Sequence, residues 1–393
     1  MVSSLPPAPL SDTSAFQREW PVLLECASPT PDVQRVAGLV QFVDWPRLLA
    51  LAEEHGVTGH LARSLHDLDG IVVPEETRNA LSERRRAQTF FSLKMSAELF
   101  RLLERFTAEN IGVLVVKGPV LSVRAYGEPA MRSYGDLDLL VRQRDIRRAT
   151  ELMINAGYEP RIPVSAINAG KIPGQYLFCR RDTEELIELH NDYTLRYFPR
   201  RLPLEGWFER QIRVRLDDQE APALSVEDEL VLICVHGAKH FWERLMWIAD
   251  VAALVSRQTG MDWKRVAEST GEVGAEHILH LGLRLAAELF RVHLPDQVAA
   301  EVRSDVMARR LAAHVHKWLP AAGYASPVLF ERLLFRLRMS GGLLAGPAYL
   351  LRLSIMPTEE DWKDASPGSG RWLPDAVRRP LRLGRKYGRG GKE

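Results

Sequence analysis

The feature that most constrains this chain is a short apolar run that carries two carboxylates. Residues 133–141 read SYGDLDLLV, in which Asp136 and Asp138 alternate with Leu137 and Leu139. Successive side chains of a strand point to opposite faces, so the two aspartates share one face and the two leucines share the other. Like charges on one face repel each other unless a cation lies between them. The run therefore predicts a buried strand beside a cation-binding site.

Upstream of this run, the sequence predicts a turn that suits an anion. The segment IGVLVVKG reads as a short buried strand, and PVLSVRAYG reads as a helix with Pro119 in its first turn. Gly118 permits close approach to the backbone, and a helix N-terminus offers free N–H groups to a phosphate. Lys117 adds a positive charge suited to phosphate oxygens. We therefore expect Lys117 and Gly118 to bind the phosphates of a nucleotide.

Downstream, a third carboxylate lies on another predicted strand. GQYLFCRR and EELIELHND alternate like paired strands, and the second places Glu188 and His190 on one face. If this strand neighbours the first, Glu188 joins Asp136 and Asp138 beside the anion-binding turn. Three carboxylates next to bound phosphates suit Mg²⁺, which takes carboxylate oxygens, substrate phosphates and water. Two such ions can stabilise both the attacking and the leaving oxygen of a phosphoryl transfer.

Together these segments resemble the DNA polymerase beta-like nucleotidyltransferase superfamily. Gly118, the motif GDLDLLV and the later strand carboxylate carry the resemblance. One branch is more similar, a bacterial nucleotidyltransferase family with an appended C-terminal helical domain, and the match covers roughly residues 90–255. The segments similar to that branch are Lys117-Gly118, Arg132, Gly135-Asp136-Leu137-Asp138, Glu188-Leu189-His190 and HGAKHFWERLMWIAD.

The resemblance implies an α+β fold: a small mixed β-sheet with helices on one face, flanked by N-terminal and C-terminal helical regions. It implies Mg²⁺ dependence, with two ions, and transfer of an NMP group from an NTP, with ATP as the expected donor. Asp136 and Asp138 would hold the metals, and Glu188 would complete the second metal site and help to activate the acceptor hydroxyl. Arg132 and Gly135 would join the nucleotide-binding residues, although Arg132 could instead pair with one of the two carboxylates of the strand that follows it, Asp136 or Asp138. The acceptor stays open: a small molecule, an RNA end or a protein side chain.

The chain departs from the superfamily pattern at two positions. Pro119 follows the turn glycine where a second Gly or Ser is usual, which removes one contact to phosphate. Glu188 stands where Asp is common, and its side chain is one methylene longer.

The segment HGAKHFWERLMWIAD has two interpretations. At 100° per residue, its polar and aromatic side chains fall on one stripe about 100° wide. These residues are His236, Lys239, His240, Glu243, Trp247 and Asp250. The stripe is either a solvated face or a wall of the nucleotide cleft, in which Trp247 stacks on the base and Lys239 contacts phosphate. The spacing HxxxH lacks the glutamate of HExxH, so we do not expect a catalytic zinc site here.

The hydrophobic pattern predicts five regions along the chain. They are a disordered lead at 1–15, an N-terminal helical region at 16–110, an α+β core at 111–200, a helical domain at 201–345 and a Pro/Gly/Arg-rich tail at 346–393. The clearest helix is expected at 87–110, and a cap at Ser225 opens the helical domain.

Composition and charge favour an ordinary soluble protein over a disulfide-rich, secreted or membrane protein. The chain is 46% hydrophobic and 26% charged, which is typical of a soluble globular protein. Its net charge of +1 gives no support for a polyanionic partner beyond the short basic tail at 371–393. Three cysteines without a CxxC pair fit reduced thiols. With neither a signal-like N-terminus nor an apolar run long enough for a bilayer, we expect a cytoplasmic protein without membrane contact, of open oligomeric state.

Two other functions remain open on sequence alone. One is a catalytically silent nucleotide- or partner-binding module that keeps the nucleotidyltransferase fold. The other is an RNA-binding scaffold that uses the basic tail. Release of pyrophosphate from NTPs in the presence of Mg²⁺ would separate the enzyme from both.

Overall fold

The structure is a computed structural model and describes residues 17–66, 73–168, 174–193, 202–271, 274–321 and 329–339. The predicted lead at 1–15 and tail at 346–393 lie outside these residues.

The described residues contain one seven-stranded mixed sheet, in the order β3-β4-β5-β2-β1-β7-β6. Its strands are β1 (Val113–Val115), β2 (Asp136–Val141), β3 (Tyr158–Pro160), β4 (Gln175–Arg180), β5 (Leu186–His190), β6 (Ile212–Leu216) and β7 (Gln219–Ala223). Strand β2 runs parallel to β5 and antiparallel to β1, and β1 runs parallel to β7. The predicted α+β fold with a mixed sheet is confirmed.

Strand β2 is the central strand of the sheet and is covered on both faces. Leu137, Leu139 and Val141 pack into a cluster with helices behind the sheet, and Leu140 packs on the opposite side. Asp136 and Asp138 alternate with the first set and so lie on the same side as Leu140. Both carboxylates therefore point towards the large cluster built mainly by the N-terminal and C-terminal helices.

Helices flank the sheet on both sides along the chain. Before β1 lie α1 (Glu19–Ala27), α2 (Val33–Leu39), α3 (Trp45–Glu54), α4 (Thr58–His66) and α5 (Glu75–Ala108). Between the strands lie α6 (Gly118–Tyr126), α7 (Ile146–Asn155), α8 (Val164–Asn168) and α9 (Leu204–Glu209). The helix predicted at 87–110 exists but begins earlier, at Glu75, where two acidic residues favour the first turn.

The C-terminal helices follow β7. They are α10 (Val226–Lys239), α11 (Leu245–Arg257), α12 (Trp263–Gly271), α13 (Glu276–Phe290), α14 (Asp296–Ser304), α15 (Val306–Trp318) and α16 (Leu329–Met339). The predicted cap is confirmed, since the Ser225 hydroxyl accepts a hydrogen bond from the Asp228 N–H at 3.2 Å. Within the described residues, no helix is both long enough and apolar enough to span a bilayer.

The sheet continues beyond residue 200, where we predicted the α+β core to end. Strands β6 and β7 form a hairpin within the range assigned to helices, and Ala223 of β7 pairs with Val115 of β1. The alternating segment IRVRL, followed by two aspartates, was a usable strand and turn signal. β7 reads QEAPA and has no such signal, so its place in the sheet depends on the neighbouring strands.

The segment that we interpreted as one helical stripe is two helices, so the continuous helix was wrong. Helix α10 ends at Lys239 and α11 begins at Leu245, and Phe241 and Trp242 between them have φ of 58° and 54°. The Trp242 ring packs directly over Gly237, where a Cβ would lie 2.5 Å from the ring. The bulky indole therefore turns back onto α10 and ends the helix there.

Candidate functional site

Two neighbouring strands bring the acidic residues together. In the parallel pair of β2 and β5, Asp138 stands opposite Glu188, and Leu140 stands opposite His190. Asp136 lies two residues before Asp138 on β2, opposite Leu186. Because side chains two residues apart share a face, Asp136, Asp138, Glu188 and His190 face the same side of the sheet. The predicted convergence of three carboxylates follows from this register.

Asp138 is the most enclosed of the carboxylates. It is 3% exposed, and its Oδ1 lies 2.8 Å from Lys117 Nζ and 2.9 Å from His190 Nε2. The Tyr193 hydroxyl lies 3.5 Å from the same oxygen, and the Tyr193 ring stacks on the His190 ring at 4.1 Å. Burial opposes ionisation of Asp138, but the Lys117 charge and the His190 hydrogen bond outweigh it and hold the pKa of Asp138 well below its usual range.

Glu188 is held from two sides. His190 Nε2 lies 3.3 Å from its Oε2, and Gln175 Nε2 donates a hydrogen bond to the same oxygen at 2.7 Å. Burial opposes ionisation, yet the contact with His190 keeps the pKa of Glu188 below its usual value. Glu188 is thus ionised near pH 7.

Asp136 differs from its two neighbours. Burial, together with the negative charges of Asp138 and Glu188, raises its pKa to about 6. Within the described residues, no Lys, Arg or His forms an ion pair with Asp136, whereas Asp138 pairs with Lys117. Asp136 is therefore the carboxylate that gains most from an additional positive charge at this face.

The donor atoms at this face fit a divalent cation. One oxygen each from Asp138 and Glu188 and one ring nitrogen of His190 lie within 4.8 Å of one another. The predicted metal set was Asp136, Asp138 and Glu188, so the structure adds His190 and leaves Asp136 outside the triad. His190 Nδ1 is buried without a hydrogen-bond partner in the described chain, so the ring is not fully satisfied by protein groups. Two carboxylates and an imidazole suit Mn²⁺ as well as Mg²⁺.

The predicted phosphate turn begins α6 next to this triad. Gly118 has a φ of +59°, which favours glycine, and Pro119 lies in the first turn of the helix. Lys117 is 7% exposed and pairs with Asp138, so its ammonium lies at the carboxylates rather than in solvent. Gly135 is exposed, with open space on its Cβ side.

Two predicted site residues bind each other instead. Arg132 Nε lies 2.8 Å from Asp250 Oδ2, and the Tyr126 hydroxyl donates to Asp250 Oδ1 at 2.8 Å. Arg132 is 5% exposed and Asp250 is 2% exposed, which makes the pair fully internal. In this arrangement Arg132 joins the segment before β2 to α11.

The aromatic residues of the former stripe do meet, despite the break between the helices. The His236 and His240 ring centroids are 4.7 Å apart, and the Trp247 ring centroid is 5.5 Å and 5.2 Å from them. Burial and the positive charge of Lys117 lower the pKa of His236 well below its usual value, and burial with the charge of Lys239 lowers that of His240 to about 4. Both rings are therefore neutral near pH 7. We call His236, His240 and Trp247 the aromatic wall.

Sequence reasoning missed two residues of the site. Gln175 bridges the sheet and the helical region, since it donates to Glu188 and its Oε1 accepts from Lys239 Nζ at 2.6 Å. Tyr193 stacks on His190 and reaches Asp138. Tyr193 follows the motif ELHND closely and could have been included as a neighbour of His190, but nothing in the sequence singles out Gln175.

Comparison with known proteins agrees with this geometry. A family model described as an uncharacterised nucleotidyltransferase matches residues 41–291, a range that contains every residue of the site. A search of curated proteins finds no match.

Proposed function

The chain belongs to this family of uncharacterised nucleotidyltransferases, and on that premise we propose that it transfers an NMP group from an NTP to an acceptor hydroxyl with the help of divalent cations. The observation that carries the proposal is the register of β2 and β5, which places Asp138 opposite Glu188 with His190 beside both. Carboxylates and an imidazole that can bind a cation, next to a helix N-terminus that can bind phosphate, support this proposal because phosphoryl transfer depends on positioning and on positive charge around the phosphates.

In the proposed reaction, Asp138, Glu188 and His190 would hold one cation, and Asp136 with Asp138 would hold a second. When bound, these ions supply positive charge to the α-phosphate and to the attacking and leaving oxygens. The raised pKa of Asp136 supports its part, because a carboxylate crowded by like charges gains strongly from a nearby cation. Mg²⁺ is the expected ion, and Mn²⁺ is the alternative that the imidazole favours.

The other residues would bind and orient the nucleotide. The N–H groups at the start of α6, with Gly118, would bind the triphosphate, and Lys117 would add positive charge beside Asp138. Lys239 adds a second positive charge, and Trp247 of the aromatic wall stacks on the base. Neutral histidines suit this wall because they offer flat, uncharged faces on which a base can stack. ATP is the donor to test first, and the acceptor is a hydroxyl of a small molecule, an RNA end or a protein side chain.

The test is release of pyrophosphate by the full chain from each NTP, with Mg²⁺ or Mn²⁺, in the presence of lysate fractions as the acceptor source. We expect release that needs the cation and is lost in Asp138→Asn and in Glu188→Gln. The matched control is Asp218→Asn, because Asp218 is an exposed residue of the β6–β7 turn, away from β2 and β5. Nucleotide binding without any release would contradict the proposal and favour the catalytically silent module.

A further inference from the structure

Gln175 lies where it can control one of the metal ligands. It is the first residue of β4 and stands opposite His190 in the antiparallel pair of β4 and β5. Its side-chain amide contacts Glu188 on one side and Lys239 on the other. A carboxylate only accepts hydrogen bonds and an ammonium only donates them, so the two partners fix which end of the amide faces each.

Glu188 depends on this contact more than Asp138 depends on any one partner. The Asp138 side chain is 3% exposed and has both Lys117 and His190 at hydrogen-bonding distance, whereas the Glu188 side chain is 18% exposed. Glutamate also has one more rotatable bond than aspartate, so holding its carboxylate in one place costs more conformational entropy. The 2.7 Å hydrogen bond from Gln175 is shorter than the 3.3 Å contact from His190. Gln175 therefore supplies the shorter of these two restraints on Glu188.

The backbone of Gln175 is itself tightly placed. Gly174 before it has a φ of +61°, and a Cβ there would lie 2.4 Å from the Asp192 Cβ and the Asp192 carbonyl oxygen. The Asn191 N–H donates to the Gly174 carbonyl at 3.0 Å, which fixes the start of β4 against the end of β5. The side chain of Gln175 thus begins from a fixed point beside His190.

Lys239 strengthens the restraint from the helical region. Its ammonium donates to the Gln175 oxygen at 2.6 Å, and a cation at that end of the amide makes the N–H at the other end a better donor. The hydrogen bonds form a continuous connection from α10 through β4 to β5.

From these contacts we propose that Gln175 is a positioning residue that holds the Glu188 carboxylate in its metal-binding orientation. The proposal rests on the proposed function, because it assumes that Glu188 binds a cation. It also gives a reason why a glutamate can stand where an aspartate is common: the longer side chain is restrained by an amide from the next strand.

The experiment is titration of the full chain with Mn²⁺, following free Mn²⁺ by electron paramagnetic resonance. Gln175→Met keeps the length of the side chain but removes both hydrogen bonds, and Gln175→Asn keeps an amide that is too short to reach Glu188. We expect the Mn²⁺ Kd to rise about tenfold in each, as is typical when a group that orients a metal ligand is lost. Gln219→Met is the matched control, since Gln219 is also the first residue of a strand but is exposed, and its Kd should equal that of the wild type.

A double-mutant cycle separates positioning from a general structural effect. In a Glu188→Ala background, Gln175→Met should leave the already weakened Mn²⁺ Kd unchanged, because there is no carboxylate left to orient. A tenfold loss in both backgrounds, or equal affinity of Gln175→Met and the wild type, would overturn the inference while leaving the proposed function standing. A wild-type protein that does not bind Mn²⁺ would overturn the proposed function, and this inference with it.

Discussion

At the scale of single residues, two aspartates on one face of β2 have opposite electrostatic environments. Lys117 and His190 stabilise the charge of Asp138, whereas Asp136 faces two negative neighbours, and burial raises its pKa to about 6. The same substitution should therefore affect the stability of the protein in opposite directions at the two positions.

We predict that Asp136→Asn stabilises the metal-free protein at high pH but not at low pH. The folded state binds the Asp136 proton more tightly than the unfolded state, where the pKa is close to 3.8. In the wild type, the stability contributed by this bound proton is therefore complete below the unfolded pKa and is lost as pH rises through about 6. Above that pH the charge costs at most about 3 kcal/mol, since one pKa unit corresponds to about 1.4 kcal/mol. The difference in unfolding free energy between variant and wild type, measured in EDTA between pH 4 and pH 8, should grow with pH; a constant difference would contradict the assignment.

Asp138→Asn should destabilise the protein and also abolish metal binding. The substitution leaves the Lys117 ammonium, 7% exposed, without its charged partner, and breaking a buried ion pair costs about 3–5 kcal/mol. Urea unfolding in EDTA measures the loss. The double variant Lys117→Met/Asp138→Asn should recover part of it, and an Asp138→Asn variant as stable as the wild type would show that Lys117 is solvated.

At the scale of secondary-structure elements, the junction of α10 and α11 shapes the aromatic wall. The break turns Trp242 back onto Gly237 and Gly282, where a Cβ would lie 2.5 Å and 3.1 Å from its ring. It also leaves Trp247, at the start of α11, against His236 and His240 at the end of α10.

Gly237→Ala should destabilise the protein by about 1–3 kcal/mol, because the new methyl group overlaps the Trp242 ring in a filled core. Gly38→Ala is the control with the opposite sign: it lies in a helix with no atom within 4 Å of its Cβ position, so it should stabilise by about 0.5–1 kcal/mol. Denaturant unfolding of both variants checks the pair. Equal effects would mean that Trp242 does not pack on Gly237.

The aromatic wall itself is tested through the nucleotide. Lys239→Ala should raise the Kd of the NTP by about tenfold to a hundredfold, as expected for loss of one charge-assisted contact worth roughly 1.5–3 kcal/mol. The fluorescence of Trp247 should change when a base stacks on it. Because the chain has nine tryptophans, the change in total fluorescence on adding nucleotide must be compared between the wild type and Trp247→Phe, in which it should be smaller. If both responses stay unchanged, the wall is not part of the nucleotide site.

Several elements could be predicted from the sequence because their patterns are local. The alternation of DLDLLV and LIELH gives strands, and Gly118-Pro119 gives the start of a helix. The break after Lys239 could not be predicted in this way, because the residues on both sides continue a helical pattern. The break is accompanied by packing of Trp242 against Gly237 of α10 and against Gly282 of α13, and the second contact joins residues far apart in sequence.

The candidate site could likewise be predicted from the sequence only where its pattern is local. The acidic residues follow from strand alternation, but the register that sets Asp138 opposite Glu188 is a property of the assembled sheet. Arg132 stands just before the acidic strand, which made phosphate binding a reasonable expectation. Its buried pairing with Asp250 on α11 depends on how the helical region is placed, and no local pattern reports that.

At the scale of the whole molecule, buried ion pairs join the sheet to the helical region. Arg132 pairs with Asp250 at 2.8 Å, and Arg124 of α6 lies 3.1 Å from Glu229 of α10. Burial raises the pKa of Glu229 to about 7, since the Arg124 charge compensates only in part. These contacts set the aromatic wall relative to the carboxylates.

Arg132→Met should therefore act on stability, with a loss of about 3–5 kcal/mol as Asp250 is left buried and unpaired. Arg132→Met/Asp250→Met should recover much of the loss, because a buried pair can be replaced by apolar side chains at little cost. Unfolding free energies of the metal-free protein measure both. A stable Arg132→Met variant with weakened NTP binding would instead make Arg132 a phosphate ligand.

The contacts that build the site also join parts of the chain that are synthesised at different times. His190 and Asp138 are 52 residues apart, Lys239 and Gln175 are 64 apart, and Arg132 and Asp250 are 118 apart. Such pairings close long loops and form late when a chain folds. A ribosome that has made β2 and the turn at Gly118 has therefore produced carboxylates without the frame that holds them. A chain released before Asp250 would carry Asp136, Asp138 and Glu188 without the buried partner of Arg132, so we expect such a fragment to lack part of the frame around the proposed site.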